Sequence, residues 1–177
     1  MTNVIRKKIC LVGDFAVGKT SLVRQYVDRE FSDKYLSTVG VKISRKMVEL
    51  HGSEDTTTVP LELIVWDVEG SNEFNFVTSS YLKGAHGTIV VADITRPETI
   101  MNIRPHIDSF FAGSPQGCAV IALNKCDLVD AQRTRSLLQG MASDRVLAVR
   151  HTSAKTGEGV DALFTLLAES LMKQEEQ

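Results

Sequence analysis

Short apolar runs alternate along the chain with stretches whose apolar residues recur three and four positions apart. Ile9 to Val12 is short and continuous, the pattern of a strand covered on both faces. After a glycine-containing loop, Leu22, Val23, Tyr26 and Val27 keep helical spacing. Val41 to Leu50 and Leu61 to Val65 alternate apolar with polar residues, as half-buried strands do. The polar stretch His51 to Thr58 between them reads as a long hairpin loop. Thr88 to Ala92 and Ala119 to Leu123 are near-continuous apolar runs, expected of central parallel strands. A helical stretch follows each, the first beginning near Pro97, where proline suits a first helical turn. Val146 to Val149 forms a last strand. Val160 to Met172 is an amphipathic helix with Leu163, Phe164, Leu166, Leu167 and Leu171 on its core side.

This order predicts an α/β fold: a six-stranded, mostly parallel sheet with helices on both faces and one antiparallel edge strand contributed by the hairpin. Residues 1–177 are expected to form a single domain, because the length is near that of one domain and no linker, repeat or low-complexity segment interrupts it. With 43% hydrophobic and 24% charged residues the composition excludes a disordered chain, a collagen and a coiled coil. A net charge of −2 supplies no global positive field, so no nucleic-acid partner is expected. Cys10, Cys118 and Cys126 form no C-x-x-C pair, which favours a reducing, cytoplasmic setting over a disulfide framework or zinc site. Met1 to Lys8 lacks an apolar signal region, no apolar run approaches the ~20 residues of a membrane span, and Met172 to Gln177 carries no C-a-a-X box. No direct lipid anchor is therefore expected.

The first strong chemical signal is Gly13-Asp14-Phe15-Ala16-Val17-Gly18-Lys19-Thr20, which matches G-x-x-x-x-G-K-[ST] between a predicted strand and a predicted helix. Gly18 allows the backbone to approach a phosphate. Successive N–H groups from Ala16 through Ser21 and the helix N-terminus supply partial positive charge. Lys19 adds a full charge at the β- and γ-phosphates, and the Thr20 hydroxyl is placed to ligate Mg²⁺. The second signal, Asn124-Lys125-Cys126-Asp127, ends a predicted strand, where such sheets bind ligands. A carboxylate there accepts the N1–H and exocyclic N–H of guanine, while adenine presents a lone pair at N1. Alone, this segment also fits a capping turn. Beside the phosphate loop it points to a guanine nucleotide.

With these residues the chain resembles the Ras-like small GTPases, most closely the Rab branch, over nearly its whole length. The resemblance implies a P-loop NTPase fold of the Ras-like G-domain type, with GTP or GDP and Mg²⁺ as cofactors. It implies that Ser153-Ala154-Lys155 is a third guanine-contacting segment and that Phe31 sets an aromatic edge on the base. Tyr35 and Thr38 look like the first switch, with Thr38 closing on Mg²⁺ and the γ-phosphate. Trp66-Asp67-Val68-Glu69-Gly70 looks like the second, with Asp67 holding Mg²⁺ through water and the Gly70 N–H meeting the γ-phosphate. Ser79 to Gly87 is the most Rab-like stretch. The implied activity is a switch working through an effector, an exchange factor and an activating protein that the sequence does not identify.

Three departures fall near the reacting phosphate. Ser71 stands where the family places a water-positioning glutamine, Glu69 where a small residue is usual, and Phe15 where the loop normally has a small side chain that leaves room for an arginine finger. Lys19, Thr38 and Gly70 remain as the resemblance requires, and Glu69 or Glu73 is a candidate substitute for orienting water. Slow GTP hydrolysis is expected, and the alternative is a GTP-locked binding or scaffold protein with negligible turnover. Lys42-Ile43 also replaces the usual acidic residue and phenylalanine. A divergent Rab-like GTPase, of a kind a prokaryote could carry, fits this pattern better than a standard vesicle Rab.

Overall fold

A computed structural model describes residues 4–51, 58–70, 76–130, 136, 141 and 143–174. Among them, β1 (Ile5–Val12), β2 (Val41–His51), β3 (Thr58–Val68), β4 (Gly87–Asp93), β5 (Cys118–Asn124) and β6 (Val146–His151) form one sheet in the order β2-β3-β1-β4-β5-β6. β2 runs antiparallel to β3 along one edge, and the other neighbours are parallel. The expected sheet is present, with longer strands than the apolar runs suggested.

β1 starts at Ile5 instead of Ile9 because its charged residues are accommodated. The Lys8 stem lies along Trp66 with its ammonium 3.8 Å from the ring centre, and Nζ donates to the Lys83 carbonyl at 2.8 Å. A charged side chain that can reach polar partners at its tip does not end a strand. β3 likewise extends to Val68 and carries the buried Asp67. β2 and β3 pair as far as His51 opposite Thr58, and residues 52–57 of the expected hairpin loop lie outside the described residues.

Helices cover both faces. α1 (Lys19–Val27) and α5 (Val160–Lys173) pack on one, where Leu22, Tyr26, Leu163, Phe164 and Leu167 join Ile9, Leu11 and Val120. Tyr26 stacks on Phe164 with centroids 3.9 Å apart. On the opposite face α2 (Phe76–Leu82) and α4 (Ile103–Gly113) bury Leu82, Ile107 and Phe110 against Cys10, Val90 and Ile121. The alternation of Ile9 and Leu11 with Cys10 and Val12 follows the period of two that sends neighbouring side chains to opposite faces.

The helix expected from Pro97 is broken. α3 (Pro97–Met101) ends at Asn102, and α4 begins one residue later. Pro105 has no N–H to return to the Met101 carbonyl, so the ladder cannot run through. After β5, where a helical stretch was expected, the described chain holds a 3₁₀ turn at Cys126–Leu128, and most of residues 131–140 lie outside the described residues. Among the described residues no helix is long and apolar enough to cross a membrane.

Candidate functional site

The carboxyl ends of β1, β5 and β6 open on a cavity of about 390 Å³, a volume typical of small-molecule sites. Five separate segments meet there. Ala16, Gly18, Lys19, Thr20 and Ser21 come from the loop and the start of α1. Phe31, Tyr35 and Thr38 come from the segment before β2, and Gly70 follows β3. Asn124, Lys125 and Asp127 follow β5, and Ala154 and Lys155 follow β6. Val17 and Ser153 are fully buried behind this lining and do not face the cavity.

Steric fit fixes the phosphate loop. A Cβ on Gly13 would lie 2.2 Å from the Val91 carbonyl oxygen, and one on Gly18 would lie 2.3 Å from Asn124 Nδ2. Both glycines also have positive φ, +148° and +101°. Lys19 opens α1 and is 6% exposed. Its ammonium donates to the Gly13 and Asp14 carbonyls, both at 2.8 Å. Burial pushes its pKa down to about 8, against the pull of Asp67 and Asp14. A desolvated ammonium at the N-terminal end of a helix is a strong receptor for a polyanion.

Beside it lies an oxygen cluster. Thr20 Oγ1 donates to Asp67 Oδ2 at 2.5 Å and lies 2.7 Å from Thr38 Oγ1, which is 3.5 Å from the same carboxylate oxygen. Burial raises the Asp67 carboxyl, while the Thr20 hydrogen bond and the Lys19 charge oppose the rise. Asp67 Oδ1 is buried and has no hydrogen-bond partner among the described residues. Two hydroxyls and a carboxylate, one of whose oxygens is buried and orphaned, suit a hard, oxygen-seeking cation such as Mg²⁺. Among the described residues no cluster of His, Cys, Asp or Glu side chains offers another metal site.

At the opposite end, the Ser153 hydroxyl donates to Asp127 Oδ1 at 2.6 Å and orients the carboxylate. Asn124 holds the wall together: Nδ2 donates to the Val17 carbonyl at 3.0 Å, and Oδ1 accepts from the Thr152 hydroxyl and the Ala154 N–H. Lys125 Nζ donates to the Ala16 carbonyl at 3.0 Å and pairs with Asp93 at 2.6 Å. Burial alone would raise Asp93, but Lys125 and Thr95 outweigh it and hold the carboxyl below its usual value. Asn124 and Lys125 thus reach the loop at residues 13–20 from the segment that follows β5.

The remaining candidates are less central. Phe15 and Tyr35 are exposed and meet edge to face, with centroids 5.4 Å apart. Glu69 lies outside the lining: its carboxylate accepts the Gly40 N–H at 2.8 Å, and its own N–H donates to the Gly40 carbonyl. Glu69, just after β3, therefore ties to Gly40, just before β2. Ser71 and Glu73 lie outside the described residues. His86 has a structural role, its Nδ1 accepting the Lys8 N–H at 3.2 Å.

Sequence reasoning missed Asp14. It is 2% exposed, with His106 Nε2 2.7 Å from Oδ1 and Asn102 Nδ2 donating to Oδ2 at 2.7 Å. The available signal was an aspartate within the phosphate loop together with Asn102 and His106 four residues apart, a spacing that shares one helix face. Burial lowers the His106 pKa, opposed by Asp14 and reinforced by the Lys19 charge. Unfolded histidine takes a proton near pH 6.5, whereas the folded form resists until lower pH. Below about pH 6.5 the unfolded chain binds more protons, so stability should fall with acidification. Thermal unfolding between pH 7.5 and 5.5 should show this fall, and His106→Gln should flatten it.

The family model described as the Ras family matches residues 8–173. The chain is 33% identical to the Ras-related protein Rab-1C of Dictyostelium discoideum, over 96% of this chain and 83% of that protein. It is 33% identical to the GTP-binding protein YPTM1 of Zea mays, over 94% and 78%. It is 32% identical to the Ras-related protein Rab-13 of Rattus norvegicus, over 93% and 79%.

Proposed function

The chain belongs to the Ras family, and from that premise we propose a cytoplasmic guanine-nucleotide switch that binds GTP and GDP with Mg²⁺. The carrying observation is the convergence of the Lys19 cradle, the Thr20–Thr38–Asp67 oxygen cluster and the Ser153-oriented Asp127 carboxylate on one cavity. In this reading Asp127 accepts the guanine N–H groups, the backbone of the Ser153-Ala154-Lys155 segment meets its oxygen, and the Lys155 stem and Phe31 ring flank the base. Lys19 and the amides from Ala16 to Ser21 hold the phosphates. Thr20 and Thr38 ligate Mg²⁺, and Asp67 holds it through water. When bound, the ion offsets phosphate charge. The Gly70 N–H is directed to the γ-phosphate, in keeping with the tight approach here: a Cβ on Gly70 would lie 2.7 Å from Lys19 Nζ.

Switching follows from what the γ-phosphate adds. Thr38 and Gly70 belong to two segments that Glu69 and Gly40 already bridge. A ligand that engages both Thr38 and Gly70 biases the pair toward one closed arrangement. Effectors, an exchange factor and an activating protein would read or change that arrangement. Chromatography of the denatured protein tests the reading: GDP or GTP should copurify with it, and a bound adenine nucleotide would overturn it.

Hydrolysis should be slow, because serine at position 71 lacks the reach of an amide side chain toward the attacking water. Glu69 is engaged by Gly40, so Ser71→Gln should act without a change at Glu69. It should raise single-turnover hydrolysis about tenfold, equivalent to ~1.4 kcal/mol at the transition state. The exposed Phe15 ring at the cavity edge favours the second reading, a GTP-locked binding protein. The same assay separates the two, since measurable wild-type turnover that glutamine accelerates belongs to the switch.

A further inference from the structure

Every carbonyl from Gly13 to Val17 accepts a hydrogen bond from a side chain. Lys19 takes Gly13 and Asp14, Lys125 takes Ala16, and Asn124 takes Val17. The Phe15 carbonyl accepts from Arg96 Nη1 at 2.9 Å. Arg96 lies outside every motif discussed so far, just ahead of α3, and Glu98 orients its guanidinium through a 2.9 Å contact to Nε. A peptide unit is planar, with its C=O and N–H pointing in opposite directions. A side chain that anchors the carbonyl of residue 15 from outside therefore aims the N–H of residue 16 the other way.

Residue 16 is where such anchoring matters most. Ala16 has φ +61°, a left-handed conformation disfavoured for any residue with a Cβ. Arg96 anchors the peptide before it and Lys125 the peptide after it. Asp14, one residue before Phe15, is in turn anchored by Asn102 and His106 from the same α3–α4 segment. We infer that Arg96 is a positioning residue for the nucleotide: it holds the strained Ala16 peptide so that its N–H stays directed at the phosphates. The inference rests on the guanine-nucleotide reading. It adds a contact from outside the recognised motifs and makes nucleotide retention depend on the α3–α4 segment.

A cycle of variants tests it on the full chain with Mg²⁺ and a fluorescent GDP. Arg96→Ala should release GDP about tenfold faster, the scale of one lost charge-assisted hydrogen bond. Ala16→Gly alone supplies the reference release rate for the double variant. In the double variant glycine tolerates φ +61° without an anchor, so Arg96→Ala should speed release by less than threefold relative to Ala16→Gly alone. Melting temperatures recorded alongside identify a variant that has lost its fold. Arg96→Lys, which retains one cationic donor, then supplies the comparison and should fall between wild type and alanine. Unchanged release in Arg96→Ala, or a loss that Ala16→Gly leaves untouched, overturns the inference. Failure of the wild-type protein to bind GDP would instead overturn the guanine-nucleotide reading.

Discussion

Asp127→Asn should weaken GDP and GTP binding by about a hundredfold or more and shift preference toward xanthine nucleotides. A site built around buried hydrogen bonds discriminates strongly, by as much as ~10⁴–10⁵, because a mismatched ligand leaves its polar groups unpaired. The Ser153 hydroxyl donates to Asp127 Oδ1 at 2.6 Å. In the variant that donor keeps the amide oxygen as its partner and turns the NH₂ toward the base. An NH₂ opposed to guanine N–H groups is repelled, whereas the C2 oxygen of xanthine accepts from it. Competition titrations with GDP and xanthosine diphosphate should show the crossover. Parallel losses for both bases would mean that Asp127 supports the wall without reading the base.

Lys19→Ala should lower affinity for both GDP and GTP by about a thousandfold, or ~4 kcal/mol. In the proposed reading the ammonium brings a formal positive charge to the β- and γ-phosphates, and it sits desolvated in its cradle, with a pKa brought down to about 8 by burial. Charge-assisted contacts in such surroundings are stronger than exposed ones. The folded protein should lose little, because removing a buried cation offsets the two carbonyls it leaves behind. Titration with each nucleotide, alongside thermal unfolding without nucleotide, separates these effects. A collapse in stability with affinity retained would make Lys19 a structural residue.

The phosphate loop was legible because its chemistry is contiguous: eight residues carry the glycines, the lysine and the threonine, and the flanking apolar periods set the strand and helix around them. Asn124 and Asp127 were legible for the same reason. Their mechanical roles were not. That Asn124 and Lys125 anchor the Val17 and Ala16 carbonyls depends on how close β5 brings them to the loop after β1. The Asp14 network joins residues 88 and 92 positions apart. Aspartate, asparagine and histidine each have many uses, so the four-residue spacing of Asn102 and His106 does not by itself name Asp14 as their shared partner. The early start of β1 was hidden by Lys7 and Lys8, which break the apolar run although Lys7 is buried and Lys8 covers Trp66. The helix break at Asn102 could be read only once Pro105 had been placed in register with Met101. Ser71 shows the converse: its expected weakness in catalysis comes from the motif alone.

Guanine selectivity is read out by competition against a bound fluorescent GDP. With the full chain, saturating Mg²⁺ and equal concentrations of each competitor, GDP and GTP should displace the probe. ADP and ATP should leave it in place even at a hundredfold excess. Displacement by ATP at the same concentrations as GTP would contradict the account, because the Asp127 carboxylate would then not be reading the base.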